Sequence, residues 1–211
     1  MIQTHWGYDI LSQSMPQMLS VEEYNEFTGG KFAGDVRIQP ALSAAESAVR
    51  AYVGWHLARS ADCCIVVNAG NLHLSNRMDT LIQLPTKFLS DVTKVLLNAK
   101  KVDGEWIGDE AEFEFERNGI LTVYDCGRVD RRSKIYVEFE SGLSDNAIAD
   151  VKEIISHMAS HGLSSSFGIQ SESTGGVSVT YSATWAGTAS SSALTDEIKN
   201  SLMPYRIQGV L

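Results

Sequence analysis

The sequence contains few cysteines and no long run of apolar residues. Its three cysteines, Cys63, Cys64 and Cys126, are odd in number and lack CxxC spacing. This pattern argues against a disulfide framework or a zinc knuckle and predicts buried, reduced thiols. No segment approaches the length of a membrane span, and the N-terminus lacks the basic flank and apolar block of a secretion signal. We therefore expect a soluble protein that is made in the cytoplasm and has no membrane partner.

Positive charge is also scarce. The chain of 211 residues has 17 Lys and Arg against 26 Asp and Glu, which gives a net charge of −9. Proteins that bind nucleic acid tightly neutralise its phosphates with clustered basic residues. The composition therefore argues against DNA binding as the main task and is compatible with DNA that only slides past. With 44% hydrophobic residues, the chain can still bury one sizeable core or two small ones.

Motifs of catalysis and phosphate binding are missing. The sequence has no nucleophile elbow and no Walker loop, and the pairs Gly29-Gly30 and Gly175-Gly176 do not stand between a strand and a helix. His56, next to Trp55, could in principle serve as a catalytic base, but a packed, hydrogen-bonded core histidine is the expected state. We therefore predict no enzyme activity and no cofactor.

One rival hypothesis is a metal site on a helix. Glu153, His157 and His161 are spaced four residues apart, so a helix would place a carboxylate and two imidazoles on one face. No further ligand cluster stands elsewhere in the sequence, and histidines near a helix C-terminus interact favourably with the helix dipole. We expect no metal. Bound zinc or iron would instead support a small soluble metal-binding module or enzyme.

Two helices are predicted in the first third of the chain. Ser20 and Glu23 form a capping box that starts a short helix through about Phe27. A longer helix begins near Pro40 and continues to about Arg59. Its apolar face recurs every three or four residues, and Glu46 and Arg50 are expected on its solvated face. The residues of the apolar face are Leu42, Ala45, Val49, Tyr52 and His56.

Two further helices are predicted towards the C-terminus. Ser144 is a plausible N-cap of a helix with an apolar stripe that stops near Gly162. After a Gly/Ala/Ser stretch over 186–192, a short helix from about Thr195 to Leu202 ends before Pro204.

Between these helical regions the sequence favours strands. β-Branched and aromatic residues occur in short blocks separated by turn residues. Asn118-Gly119 lies between two blocks and is typical of a tight hairpin turn. Two more extended pieces flank Gly175-Gly176. The blocks from 61 to 141 are Cys63–Val67, Thr80–Leu84, Val92–Leu97, Phe113–Phe115, Ile120–Tyr124 and Ile135–Phe139.

The order of elements predicts an α+β fold, in which a helical bundle carries an inserted antiparallel β-sheet or hairpin region and an extended C-terminal tail. We expect five segments. They are an N-terminal arm over 1–19, the N-terminal bundle helices over 20–60, the β insertion over 61–142, the C-terminal helices and hairpin over 143–202, and the tail over 203–211.

Two surface features could meet a partner. The tail offers the apolar anchors Tyr205, Ile207, Val210 and Leu211 together with Arg206, on a segment too short for its own core. Such residues usually find a partner surface, although packing on the bundle is the equal alternative. The basic clusters are expected to be solvated turns first, salt bridges between subunits second and DNA contacts last. They comprise Lys100 and Lys101, and Arg128, Arg131, Arg132 and Lys134.

The order of motifs resembles that of the head-tail connector proteins of tailed bacteriophages, also called adaptor or head-completion proteins. The resemblance covers roughly residues 18–208, and each motif occurs in the same order as in the family. The matching motifs are the opening helix Leu19–Tyr24, the Gly54-Trp55-His56 ending of the long helix, the Asn118–Leu121 turn and strand, the segment Val137–Gly142, the stretch Ser171–Tyr181 and the final Tyr205-Arg206.

This resemblance implies a structural virion protein located in the neck between capsid and tail. Such a protein forms a homo-oligomeric ring, with a dodecamer expected, and docks on the portal protein after DNA packaging. The ring continues the DNA channel toward a stopper or tail-completion protein, and the DNA passes without sequence-specific binding. The tail residues Tyr205, Arg206, Ile207, Val210 and Leu211 would engage the portal. A tail-completion or neck protein of the same virion is the alternative.

Overall fold

A computed structural model describes residues 1–72, 79–124, 126, 129, 132–164, 171–174, 177–180 and 194–207. The first helix, α1, spans Val21–Phe27 and has the predicted capping box. The Ser20 hydroxyl accepts a hydrogen bond from the Glu23 amide at 3.1 Å, and the Glu23 carboxylate accepts one from the Ser20 amide at 2.9 Å. Two amides that the helix itself cannot bond are thereby satisfied.

The second helix, α2, spans Ile38–Val53 and is shorter than predicted at its C-terminal end. Gly54 adopts a left-handed conformation with φ of 83°, and its amide donates to the Arg50 carbonyl. This is the geometry of a helix that terminates on glycine. The prediction that the helix continues to about Arg59 was therefore wrong, and His56 lies beyond the helix rather than on its apolar face.

A second correction concerns the charged residues of α2. Glu46 and Arg50 were predicted on a solvated face, but Glu46 is 5% exposed and Arg50 is 7% exposed. The two side chains form an ion pair of 3.3 Å one helical turn apart. The spacing of four residues is the same for a solvated pair and a buried one, so the sequence pattern alone did not distinguish them.

The strands among the described residues form three antiparallel sheets. The largest has six strands in the order β1-β2-β3-β9-β5-β6, a second has the order β4-β8-β7, and β10 pairs with β11. The strands are β1 (Ile2–Gln3), β2 (Asp9–Ile10), β3 (Ala61–Asn68), β4 (Thr80–Gln83), β5 (Leu89–Val102), β6 (Glu105–Glu110), β7 (Phe113–Phe115), β8 (Ile120–Val123), β9 (Lys134–Ser141), β10 (Ser171–Thr174) and β11 (Val177–Thr180). Every predicted strand block is present.

Part of the segment that was predicted as an N-terminal arm joins the six-stranded sheet. Strand β2 pairs with β3 through Asp9 opposite Cys64 and Ile10 opposite Cys63, which extends the six-stranded sheet. Tyr8 and Ile10 are buried. A strand of two residues carries no detectable period, so the sequence could not reveal this pairing.

The hairpin predicted at Asn118-Gly119 connects β7 and β8. Gly119 has a φ of 88°, and an added Cβ would lie 2.5 Å from the Thr86 carbonyl oxygen. Asn118 contributes through its side chain, because its Oδ1 accepts from the Ile120 amide at 3.2 Å. Glycine is therefore required at 119 both by conformation and by the close approach of the backbone.

A second hairpin, between β5 and β6, was not predicted. Asp103 and Gly104 both have positive φ values, 51° and 93°, and they connect Val102 to its partner Glu105. This is the conformation of a two-residue turn that favours Asp-Gly. The dipeptide was visible in the sequence, but the hydrophobic residues of the strand that follows it, Trp106 and Ile107, are adjacent and show no alternation.

Two α-helices are present where the structure describes the C-terminal part. α3 spans Ala149–Ser164 after a 3-10 turn over Asp145–Ile148. α4 spans Asp196–Leu202, with the Thr195 hydroxyl accepting from the Ile198 amide, and Pro204 lies in a 3-10 turn directly after it. The predicted short helix is confirmed. The predicted Gly/Ala/Ser stretch over 186–192 and the turn Gly175-Gly176 lie outside the described residues.

The predicted α+β class is confirmed, because four α-helices and eleven antiparallel strands occur among the described residues. The fold is not dominated by a helical bundle, which corrects that part of the prediction. The chain divides into two compact units. One contains residues 1–16 and 55–144 with Ile207, and the other contains residues 17–54 and 145–206. The five predicted segment boundaries stay predictions. None of the described helices combines the length and the apolar character that membrane crossing requires.

The three cysteines are free and buried, as predicted. Burial, with smaller contributions from Cys64 and Asp62, raises the pKa of the Cys63 thiol to about 12, and burial also raises the pKa of Cys64. Thiols react as thiolates. We therefore expect no thiol to react with a disulfide reagent such as DTNB at pH 8 in the folded protein, and all three to react in denaturant. A thiol that titrates rapidly without denaturant would contradict this arrangement.

Candidate assembly surfaces

The C-terminal segment begins with contacts to its own unit. The Tyr205 hydroxyl donates to the Asp150 carboxylate at 2.9 Å, at the start of α3. Burial and the hydrogen bond to Asp150 raise the pKa of Tyr205 to about 12. The hydroxyl therefore stays protonated and remains a donor throughout the physiological range of pH.

Arg206 continues this attachment. Its guanidinium lies over the ring of Tyr52 on α2, 5.2 Å from the ring centroid, in a cation–π contact. The Tyr52 hydroxyl in turn donates to the Lys199 carbonyl of α4 at 3.1 Å. Of the residues predicted to bind a partner, Tyr205 and Arg206 thus contact α3 and α2, Ile207 is half-buried, and Val210 and Leu211 lie outside the described residues.

Two basic clusters that are distant in sequence meet at one end of the six-stranded sheet. Lys100 and Lys101 near the end of β5 line a shallow cleft together with Arg132 and with Lys134 at the start of β9. We call this depression the basic cleft. Lys100, Lys101, Arg132 and Lys134 are all exposed. Arg128 and Arg131, which belonged to the same predicted cluster, lie outside the described residues.

Trp106 on β6 also lines the basic cleft and connects it to a small apolar cluster. Its ring stacks on Tyr136, with 5.0 Å between the ring centroids and an interplanar angle of 19°. The Tyr136 hydroxyl donates to the Glu138 carboxylate at 2.7 Å. Tryptophan is enriched among the residues that contribute most of the binding energy at protein interfaces. Sequence reasoning missed Trp106 because strand β6 was not predicted.

Four carboxylates form a second charged surface. Glu110, Glu112, Glu114 and Glu116 occupy every second position from the end of β6 through β7, and all four are exposed. We call this set the acidic strip. Phe113–Phe115 was predicted only as a strand block. The regular spacing of the four glutamates was nevertheless a readable signal of a charged surface.

His56 is fully buried and hydrogen-bonded, as predicted. Its Nε2 lies 2.8 Å from the Ser141 carbonyl oxygen, so this nitrogen must carry the hydrogen. Nδ1 then accepts from the Tyr8 hydroxyl at 2.6 Å, and the same hydroxyl oxygen accepts from the His56 amide at 3.0 Å. The imidazole therefore serves as an internal link between Tyr8 and Ser141, and its burial leaves no access for a substrate.

The residues of the rival metal hypothesis are exposed on α3. Glu153, His157 and His161 all face solvent. Within the part of the chain that the structure describes, no group of three or more His, Cys, Asp or Glu side chains has the geometry of a metal site.

Comparison with known proteins relates the fold to one family. A family model described as "HCP: Head completion protein" matches residues 17–208. No curated protein matches the chain. Among solved structures, a chain of the "Neck of empty GTA particle computed with C6 symmetry" is similar with a TM-score of 0.55 and 13% sequence identity. The match covers 97% of each chain. At this level of identity the similarity shows a common fold.

Proposed function

Because the chain belongs to the head completion protein family, we propose that it is a structural subunit of the neck between the capsid and the tail of a tailed phage or phage-like particle. The main support for this proposal is the extent of the match, because the family model covers residues of both units of the chain. The similar fold of a protein from a GTA-particle neck supports the same role. The proposed activity is assembly and involves no chemical reaction.

The proposed assembly is a closed ring of identical copies, with a dodecamer expected, that docks on the portal and continues the DNA channel toward a stopper or tail-completion protein. Such a ring needs heterologous interfaces, in which one patch of a subunit meets a different patch of the next. The net charge of −9 supports passage of DNA without tight binding, because phosphates are repelled by a carboxylate-rich surface.

Purified particles test this proposal directly. We expect mass spectrometry to find the chain in tailed particles, and a reconstruction of the neck to place it as a ring adjacent to the portal. Density for the chain on the tail side of the stopper would favour the alternative, a tail-completion protein. Absence of the polypeptide from purified particles would overturn the proposed function.

We further propose that the C-terminal segment binds the portal through Tyr205, Arg206, Ile207, Val210 and Leu211. The contacts of Tyr205 with Asp150 and of Arg206 with Tyr52 support two different roles within this segment. In this arrangement, Tyr205 and Arg206 fix the start of the segment on the subunit, and the apolar residues from Ile207 onward supply the anchors.

Deleting residues 208–211 together with Ile207→Asp should reduce portal binding by at least about tenfold, because apolar anchors at interfaces each contribute on the order of 1–2 kcal/mol. The unfolding midpoint should be unchanged. Val36→Asp is the matched control, since Val36 is an apolar residue that is 90% exposed and lies outside the segment. Tyr205→Phe tests the attachment separately, because it removes the hydroxyl that donates to Asp150 and to the Ala147 carbonyl, and it should lower stability by about 1 kcal/mol. Binding can be measured by co-sedimentation with purified portal rings. Normal binding by the truncated chain would remove the assignment.

A further inference from the structure

The basic cleft and the acidic strip have properties that fit each other. The cleft presents four basic side chains, Lys100, Lys101, Arg132 and Lys134, around Trp106. The strip presents four carboxylates at alternate positions, and the two residues between its first three carboxylates, Ala111 and Phe113, are less exposed. Opposite charges in equal number, on two exposed surfaces, provide electrostatic complementarity.

The two surfaces lie at opposite ends of β6. Lys101 is paired with Trp106 near the start of this strand, whereas Glu110, the first residue of the strip, is paired with Leu96 at its end. Strand β6 is also an edge of the six-stranded sheet. One copy therefore displays two different and complementary patches. Such a pair of patches generates head-to-tail contacts between copies, and these close into a ring when the rotation from one copy to the next completes a full turn.

We propose that the basic cleft of each copy receives the acidic strip of the next copy. This inference rests on the proposed function, since the ring brings the copies side by side. Trp106 is the apolar centre of the contact, and the lysines around it pair with the glutamates of the neighbour. In this contact, the three carboxylates of Glu110, Glu112 and Glu114 together face the three ammonium groups of Lys100, Lys101 and Lys134.

A second copy fits the cleft better than DNA does. Asp103 and Glu105 lie at the tip of the same β5–β6 hairpin and would repel phosphates. One face of Trp106 is covered by Tyr136, so that face is not available for stacking on a base. The strip carries four separate carboxylates, one for each basic side chain of the cleft, whereas a nucleic acid backbone carries negative charge throughout and extends it past Asp103 and Glu105.

Charge exchange provides the test. One variant carries Lys100→Glu, Lys101→Glu and Lys134→Glu, which makes the cleft acidic. A second carries Glu110→Lys, Glu112→Lys and Glu114→Lys, which makes the strip basic. Each variant replaces the chain in a host that produces the particle, and the yield of tailed infectious particles is counted. Either variant alone should lower the yield about 10–100-fold, because three attractive pairs per interface become repulsive.

Production of both variants together should restore the yield. In an alternating ring, the acidic cleft of the first variant meets the basic strip of the second, and the basic cleft of the second meets the acidic strip of the first. Restoration that requires both variants cannot come from damage to the fold. The control variant carries reversals at Lys31, Arg37 and Arg59, which are exposed and outside both surfaces, and it should assemble normally.

Other outcomes would overturn the inference. Normal assembly by either variant alone, with the chain present in the neck, would reject the contact and leave the proposed function intact. Loss of binding to a double-stranded DNA oligonucleotide by the cleft variant, with no restoration in the mixture, would assign the cleft to nucleic acid. Absence of the wild-type chain from the neck would instead reject the proposed function. If a triple reversal lowers the unfolding midpoint, Lys→Gln and Glu→Gln variants at the same positions repeat the test, and unchanged yields from both would again reject the contact.

Discussion

Replacing Glu46 with alanine should lower the free energy of unfolding by about 3–5 kcal/mol, since removal of one partner of a buried ion pair leaves uncompensated groups in the interior. The Glu46 carboxylate has three roles within its unit. Its Oε2 lies 3.3 Å from Arg50, and its Oε1 accepts from the amides of Met18 and Leu19 at 2.8 and 3.0 Å. Alanine would remove the acceptor of two buried backbone amides together with the negative charge.

Equilibrium unfolding in urea or guanidinium, followed by circular dichroism, measures this effect. Glu153→Ala is the matched control, because Glu153 is an exposed glutamate in the helix α3 and its removal should change stability by less than about 0.5 kcal/mol. Glu46→Gln keeps an amide oxygen that can accept from Met18 and Leu19, so its cost should lie between those of the two alanine variants. Equal stabilities of the Glu46→Ala and Glu153→Ala proteins would show that the buried carboxylate contributes nothing.

The features that the sequence predicted correctly are local ones. The capping box at Ser20, the short helix that follows Thr195 and the turn at Gly119 each depend on hydrogen bonds or conformations within four residues. The strand blocks were recognisable because β-branched residues are concentrated in them. In contrast, the buried Glu46 carboxylate is hydrogen-bonded by the amides of Met18 and Leu19, which are almost thirty residues away in sequence.

The candidate surfaces also depend on contacts between residues that are distant in sequence. The tail was recognised from its apolar residues, but the attachment of Tyr205 to Asp150 involves a residue 55 positions earlier in the chain. The two basic clusters were each visible, but they meet only because β5 and β9 are antiparallel neighbours, with Leu96 opposite Tyr136. Periodicity predicts which face of a strand is buried and does not predict which strands become neighbours.

Replacing His56 with alanine should lower the free energy of unfolding by about 3–4 kcal/mol, which combines the loss of packing with the loss of buried hydrogen bonds. The ring is fully buried, packs edge-on against Trp55 at 5.6 Å between ring centroids, and joins the Tyr8 hydroxyl to the Ser141 carbonyl. Without it, the Ser141 oxygen loses a donor at the end of β9, and Tyr8 loses the acceptor of its hydroxyl hydrogen.

Chemical denaturation of four variants separates packing from hydrogen bonding at this site. His56→Gln retains an N–H group that can reach the Ser141 carbonyl, so it should recover part of the stability that alanine loses. Tyr8→Phe should lower stability by about 1–3 kcal/mol, because the His56 amide and Nδ1 lose their buried partner. His157→Ala, at an exposed histidine of α3, should be neutral. If His56→Ala is also neutral, the link between Tyr8 and Ser141 does not stabilise the unit that contains the six-stranded sheet.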